Sequence, residues 1–553
     1  MKKKAITKAG ETAVIDPQEI DQPADSNNNP FTSKMLRDLV ARRHPLYADN
    51  VSHWAFLEQT YDGGRDWFKE HIFRYIKEGE QEFKDRLLRA YRFNHTREVV
   101  DLINKYLFKQ NIVRNDKDVT DSVREFWKKS TRNGMGISDF SRQISKKTSI
   151  FGRVAVVVDR TTATGVILSK SDEKQAGLRT YAYIVPPEQI LDYSYDEQGS
   201  LNWILLLEQI RDDTNPMTSS GKCGVRYRLW TKNEWILVEE VKDGRVKSLK
   251  VTASGAHELG EVPVVLCDHI VSDNLYVSPA MIDDIAYLDR AVANYLSNLD
   301  AIIQDQTFSQ LAMPSQGVSA GDDAYDKMKE MGTKRIFLYD GGESNNKPEY
   351  LSPDPKQAQM IVTTIKTIIN EIYHTVGLAG ERTKQDNALG IDNSSGVAKA
   401  YDFERVNALL AAKADSLELI ENKIVRLVGL WNGDDVTEDD KSRVSYPNNF
   451  DTRGLYDEFD LAARLMLVDA PDSVRRHQMM SVLDKLFPQL PEEKRAEMDK
   501  EMQKWPISLA DLQAVDANGK PIAGGTNAQP SESQKAVTKK ANNDLAVNVA
   551  KAT

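Results

Sequence analysis

A helix-rich α+β fold is predicted by three observations. Residues 34–152 carry apolar side chains at three- and four-residue steps. Residues from about 150 to 270 break into short apolar runs separated by Gly, Asp, Asn and Ser. Three long amphipathic stretches follow, the first two parted by a small insert. At 553 residues the chain has room for roughly three to four structural units and at least one large core.

The N-terminal block reads as a series of helices. Trp54, Phe56, Leu57 and Tyr61 share one face. Trp67, Phe68, Ile72, Tyr75 and Ile76 share a second, and Val99, Val100, Leu102, Ile103 and Leu107 a third. Phe126, Trp127, Phe140, Ile144 and Ile150 continue the pattern. Gly134-Met135-Gly136 breaks it, and Ser138 is placed to cap the next helix. Near Gly152 the period changes. Val154–Val158, Tyr181–Val185, Trp203–Leu207, Val225–Trp230, Trp235–Val238 and Val264–Cys267 read as strands of an antiparallel region, with Pro186-Pro187 stopping the second.

Ser278-Pro279 then predicts a helix start, a cap followed by proline. Ile282, Ile285, Asp289, Val292, Leu296, Leu299 and Ile303 repeat at helical steps to about Phe308, a length of about 45 Å. Ile361, Ile365, Ile368 and Ile372 mark a second helix. A third starts near Gly396, carries Leu410, Leu417, Ile420, Ile424 and Leu427, and stops at Asn432-Gly433. The insert at about 309–353 holds Pro314, Gly317, Gly321, a short helix through Met328, a strand Arg335–Tyr339 and the turn Gly341-Gly342. Gly377–Ser395 is a Gly/Asn/Asp-rich loop, and a last helical block spans about 454–505. The polar ends, with Asn27-Asn28-Asn29-Pro30 at one and no aromatic residue after Trp505 at the other, read as solvated arms.

Composition narrows the function. Lys and Arg number 73 against 83 Asp and Glu, a net charge of −10, which argues against a surface built to grip nucleic acid everywhere. Mean hydropathy is −0.52, and the longest apolar runs fall far short of the ~20 residues of a membrane helix. The opening MKKKAITKAGETAV has positive charge but no apolar stretch behind it, unlike a secretory signal. Cys223 and Cys267 have no metal-ligand spacing and read as reduced thiols.

Motifs for chemistry are mostly missing. The nearest approach to a phosphate-binding loop, at Gly221-Lys222, has Pro216 for the first glycine and Cys223 for the hydroxyl residue. Gly317-Val318-Ser319-Ala320-Gly321 fits G-x-S-x-G, but a long helix and Pro314 precede it where a strand is required, so a flexible loop is the better reading. His257-Glu258 opens a zinc motif that Glu261 fails to complete. Asp283-Asp284 point about 100° apart on a helix and serve better as first-turn charge than as metal ligands. Met479-Met480 read as core, and Lys128-Lys129, Lys146-Lys147 and Lys539-Lys540 as solvated charge.

The order of elements carries more information. His44-Pro45-Leu46-Tyr47 leads into the helices. Phe151-Gly152-Arg153-Val154 with Val157-Val158-Asp159 begins the strands. Tyr181-Ala182-Tyr183-Ile184 precedes Pro187-Glu188-Gln189-Ile190-Leu191-Asp192. Val262-Pro263-Val264-Val265 comes before Ser278, and Asn393-Ser394-Ser395-Gly396-Val397-Ala398 enters the longest helix. In this order and spacing, over about 34–505, the chain resembles the portal proteins of tailed bacteriophages, the head-to-tail connector family. The resemblance implies a subunit with wing, stem, clip and crown regions. An N-terminal arm would be 1–33 and the wing 34–278, helical over 34–152 and β-rich over 153–278. The stem helices would be 279–308 and 354–376, the clip 309–353 and the tunnel loop 377–395. The long wing helix and its connection would be 396–453, the crown 454–505 and the tail 506–553.

By the same resemblance the chain is not an enzyme and needs no cofactor or metal. It would form a ring, usually of twelve subunits, at the capsid vertex of a virion, assembled in the host cytoplasm and away from membranes. Double-stranded DNA would pass through it during packaging and ejection. Its partners would be the terminase large subunit, a head-completion or adaptor protein, and the major capsid and scaffolding proteins. Arg382, Lys384, Gln385, Asn387, Asn393 and Ser394 would face the DNA channel, and Lys334, Arg335, Phe337 and Tyr339 would belong to the clip. Ile282, Ile285, Val292, Leu299, Ile361, Ile365, Ile368 and Ile372 would pack stem or subunits, and the isoleucine stripe is read as a seam between subunits, a monomer core being the alternative. Arg382 and Lys384 either touch phosphates weakly or pair with Glu381, Asp386 and Asp392. The competing functions are a hydrolase using Ser319 and a module that recruits proteins through its tails.

Overall fold

The computed structural model describes residues 31–116, 119–161, 178–243, 246–273, 276–307, 310–314, 336–339, 347, 349–351, 355–378, 396–434, 443–448, 450, 471–486 and 492–503. The predicted α+β class holds, with helices in the majority. The chain divides into two compact units, residues 1–450 and 451–553.

In the first unit, helices α1 (Ser33–Ala41), α2 (Tyr47–Asp62), α3 (Arg65–His71), α4 (Glu80–Arg89) and α5 (His95–Leu107) come first. Thr32 accepts from the Met35 N–H and Asn94 from the Arg97 N–H, so two of the helix starts carry side-chain caps. Strand β1 (Val113–Arg114) and helices α6 (Asp121–Lys128) and α7 (Ile137–Phe151) follow. Trp54, Leu57, Val99, Val100, Ile103, Phe126, Phe140, Ile144 and Ile150 are buried in one continuous core. Tyr75 and Ile76 depart from expectation: α3 ends when Ile72 turns extended, and both side chains stand exposed beyond it. Ser138 does not cap α7 either. Gly136 holds the cap position, and the Ser138 hydroxyl, inside the helix, accepts from Arg114.

Strands β2 (Arg153–Arg160), β3 (Thr180–Val185), β4 (Ile190–Tyr195), β5 (Leu201–Arg211), β6 (Cys223–Thr231), β7 (Glu234–Asp243), β8 (Val246–Ala256) and β9 (Val264–Asp268) form two sheets. The first is β3-β2-β9, antiparallel throughout. β2 lies in the middle, and Val154–Val158 is fully buried, which is why that run is apolar without alternation. The second is the antiparallel meander β4-β5-β6-β7-β8, with Leu36 and Val40 of α1 packed on Ile236 and Val238. The edge strands β4 and β8 escape the sequence pattern, because Asp192 interrupts one and Lys and Ser residues the other, as suits sheet edges.

Helix α8 (Asp283–Thr307) and helix α9 (Pro355–Thr375) enclose a small sheet of β10 (Gln310–Pro314), β11 (Ile336–Tyr339) and β12 (Glu349–Leu351). β10 is its centre, parallel to β11 and antiparallel to β12. α8 begins four residues later than Ser278-Pro279 suggests. Asp283 accepts from the Ala280 N–H at 2.8 Å, and the Met281 N–H donates to the Ser149 carbonyl, so the chain enters the helix through a turn docked on α7. Helix α10 (Gly396–Trp431) runs to the Asn432-Gly433 stop, where Gly433 has φ +70°. Strand β13 (Val444–Ser445) pairs with β1. In the second unit, α11 (Asp472–Leu486) and α12 (Glu492–Met502) are described, with Met479 and Met480 half-buried in α11.

Candidate functional site

The site is built on α8, α9 and α10 and on the joint that holds them to the β2 sheet. α8 and α9 pack side by side. Ile282, Ile285, Val292 and Leu299 are buried, as are Ile365 and Ile372, while Ile361 and Ile368 are half-buried. The buried six belong to the core of this single chain, while Ile361 and Ile368 pack against that core and keep part of their surface. The start of α5 is clasped between the two helices. Asp289 of α8 is fully buried and accepts from the Thr96 N–H and hydroxyl at 3.2 and 2.8 Å. Tyr373 of α9 lies 3.2 Å from His95 and donates to Glu98.

α8 carries little basic charge, whereas α9 exposes Lys356 and Lys366. α8 has five aspartates and one arginine, and that Arg290 guanidinium sits within 5.4 Å of the rings of Phe56, Phe73 and Tyr287. On α9 the hydroxyls of Thr363, Thr364, Thr367 and Thr375 donate to carbonyls four residues back, so they satisfy their own helix. His53 ties the start of α8 to α2, with Asp283 at 2.9 Å and the Tyr287 hydroxyl at 3.1 Å. Asp283 thus has a partner other than Asp284, which is exposed.

The joint is more tightly made. Gly152, between α7 and β2, has φ +79°, and a Cβ there would lie 1.9 Å from the Ser278 carbonyl oxygen. The next residue, Arg153, grips Asp268 with two donors and reaches the Tyr193 hydroxyl at 3.1 Å. Burial opposes the Arg153 charge, but Asp268 outweighs it and drives its pKa up. Lys413 of α10 is wholly buried and, among the described residues, forms no ion pair with a carboxylate. Its ammonium donates to the Ser145 carbonyl at 2.9 Å, the Ser149 hydroxyl at 2.7 Å and His269 Nδ1 at 2.9 Å. Burial pushes Lys413 down to about 7. Burial, with Lys413 beside it, also holds His269 well below the ordinary histidine range. Further along α10, Ser416 donates to the Asp268 carbonyl and Glu421 takes Arg114, Ser141 and Tyr446. Trp431 donates to the Val158 carbonyl. From Lys413 to Trp431, α10 is therefore pinned to α7, β9 and β2.

Where the turn before α8 meets the end of α9 and the first half of α10, a cleft of about 510 Å³ opens, lined by His269, Val271, Pro279, Met281, Thr375 and Leu409 among others. Gly377, with φ +75°, turns the chain there, and its N–H and that of Leu378 donate back to the His374 and Tyr373 carbonyls.

Of the residues singled out in the sequence, Phe337 and Tyr339 fall in β11, opposite Ala312 and Pro314. Arg382, Lys384, Gln385, Asn387, Asn393 and Ser394, the clip residues Lys334 and Arg335, and Ser319 lie outside the described residues, as do residues 1–30 of the arm 1–33 and the tail 506–553. His257 is buried against the rings of Trp230 and Trp431. Lys146 and Lys147 are ion-paired with Asp101 and Glu58 rather than merely solvated. The sequence pattern does not single out Lys413, His269 or Asp268, and it places Arg153 only at the start of the strands. One signal was present: Lys413 stands three residues after Leu410 on the apolar stripe of α10. Among the described residues no three metal-ligating side chains cluster, and no helix is long and apolar enough to cross a membrane.

No family model and no curated protein matches this chain. Among solved structures it is similar to a chain in the neck of an empty gene transfer agent particle, computed with C6 symmetry. That chain is 8% identical, with 73% of this chain and 97% of that one covered and a TM-score of 0.35. A chain of the native gene transfer agent virion is also 8% identical, with coverage of 80% and 98% and a TM-score of 0.36.

Proposed function

We propose that the chain is a portal subunit: it closes with copies of itself into a ring at one capsid vertex, and duplex DNA passes through the middle. The observation that carries the reading is the interrupted helix pair. α8 and α9 form a two-helix stalk whose connection is a small sheet, and α10, next in chain order, is bonded to β9 and β2. This is the order that the resemblance to phage portals implies for stem, clip and wing.

The charge pattern suits the role. Each phosphate neutralised by a fixed cation adds counterion-release affinity, so a bore through which DNA must slide is best poor in cations. α8 suits that requirement, its one arginine being stacked on rings and Asp284 exposed, and Lys356 and Lys366 of α9 are the cations the stalk does expose. In this reading Arg382 and Lys384 provide weak phosphate contacts from the loop between α9 and α10. The β10–β12 sheet offers the docking end for the terminase large subunit and then for a head-completion or adaptor protein, and capsid and scaffolding proteins meet the wing. The ring catalyses nothing. It is assembled in the host cytoplasm and ends in the virion.

Negative-stain images of the purified chain test the reading. Rings with a central opening wide enough for a duplex are expected. Monomers at every concentration and salt would overturn it.

A further inference from the structure

The cleft at the start of α8 is built like a small-molecule site. Its volume, about 510 Å³, lies within the ~300–1,000 Å³ range of pockets that enclose a ligand. Val271, Pro279, Met281, Val376 and Leu409 give it largely apolar walls. Such a pocket orients a ligand through a few fixed polar groups. Thr375 spends its hydroxyl on the Glu371 carbonyl, but three other lining residues, Ser278, His269 and Arg405, keep donors in reserve.

Ser278 and His269 are each only 4% exposed. Among the described residues neither the Ser278 hydroxyl nor His269 Nε2 has a hydrogen-bond partner, and both atoms are open to solvent. The state of the imidazole follows from Lys413 on its other side. An ammonium can only donate, so Lys413 gives a hydrogen to Nδ1 at 2.9 Å. Burial and the Lys413 charge keep the ring neutral, which leaves its one hydrogen on Nε2. Arg405 adds a fork of donors. Its guanidinium meets His374 Nε2 at 3.3 Å and, among the described residues, forms no ion pair.

No carboxylate lines the cleft. Those nearby are engaged elsewhere. Asp268 takes two donors of Arg153, Asp283 takes His53 and the Ala280 N–H, and Glu371 lies 4.0 Å from His374. Behind His269, Lys413 is a buried cation without a counter-charge among the described residues. A buried charge left uncompensated is costly, and an anion across the imidazole would relieve it.

We propose that this cleft binds a carboxylate carried on an apolar body, with the headgroup on Arg405, the Ser278 hydroxyl and His269 Nε2–H and the body against Val271, Met281 and Leu409. The one cation in the lining matches a monoanion, and the guanidinium fork matches the two oxygens of a carboxylate. The inference does not depend on the ring reading.

Calorimetric titration of the full chain with octanoate, octanamide and acetate tests it. Saturable binding of octanoate is expected, with octanamide and acetate each weaker by at least about tenfold. Octanamide binding as well as octanoate would reduce the cleft to an apolar hole, and acetate binding as well would remove the apolar body. Either result, or no saturable binding of octanoate, would overturn the proposal. Ser278→Ala and Arg405→Gln should each weaken octanoate by about tenfold or more. The first removes a hydroxyl that bonds nothing among the described residues and the second alters an exposed side chain, so both should keep the unfolding midpoint of the native chain. Should Arg405→Gln lower that midpoint, Ser278→Ala alone decides. Undiminished octanoate binding in folded variants would place the ligand elsewhere and contradict the proposal.

Discussion

Gly152→Ala should be among the most damaging single-methyl changes in the described part of the chain. Two costs combine. At φ +79° an L-residue is strained by about 1–2 kcal/mol. The new Cβ would also sit 1.9 Å from the Ser278 carbonyl oxygen, 2.8 Å from the Ser278 carbonyl carbon and 2.9 Å from that of Pro279. All three are backbone atoms, so no side chain can swing aside. The segment entering α8 must move, at a cost of a further ~1–3 kcal/mol typical of overpacking. The segment is also tied from the far side, since the His269 N–H donates to the Gly152 carbonyl and Met281 to Ser149. A total near 2–5 kcal/mol follows. Gly134→Ala is the control: its φ is +81°, but nothing lies within 4 Å of its Cβ, so only the backbone strain applies. Urea unfolding followed by tryptophan fluorescence measures both as midpoint shifts. Equal losses in the two variants would refute the close approach of Ser278 to Gly152.

The pH dependence of Lys413 is the second test. A folded pKa of about 7 lies below the unfolded lysine value, so between about pH 7 and 10 the unfolded chain binds more protons and native stability climbs with pH. The stability of the native chain relative to Lys413→Met should therefore rise by about 2 kcal/mol from pH 7.5 to 9.5, read from unfolding midpoints across that range; a flat difference would mean that Lys413 is not held away from water. In particles that have packaged DNA, Arg382→Ala combined with Lys384→Ala should speed release without preventing ring formation. Unchanged packaging and retention would remove these two residues from the channel.

Much of the fold was legible because burial on one face leaves a period. The Val154–Val158 run, the stripes of α5 and α7 and the Asn432-Gly433 stop each mark an element whose local signal agrees with its packing. Tyr75 and Ile76 continue a helical stripe in sequence, yet Ile72 has already left the helix, a backbone choice that periodicity does not register. Ser278-Pro279 resembles a helix start, but its backbone is spent against Gly152, a contact 126 residues away in the chain. The joint residues were hidden for the same reason. Arg153, Asp268 and Lys413 come from β2, β9 and α10 and His269 from the residue after β9, and only the folded sheet brings them together.

On the ring reading, copies of this chain close head to tail around a hollow axis, and the mass of the purified assembly in solution decides whether they do. Twelve copies of a 62.4 kDa chain give about 750 kDa, and a single species near that mass, or another whole multiple consistent with a closed ring, is the predicted result. A stable species of 62.4 kDa across all concentrations and salts would contradict it.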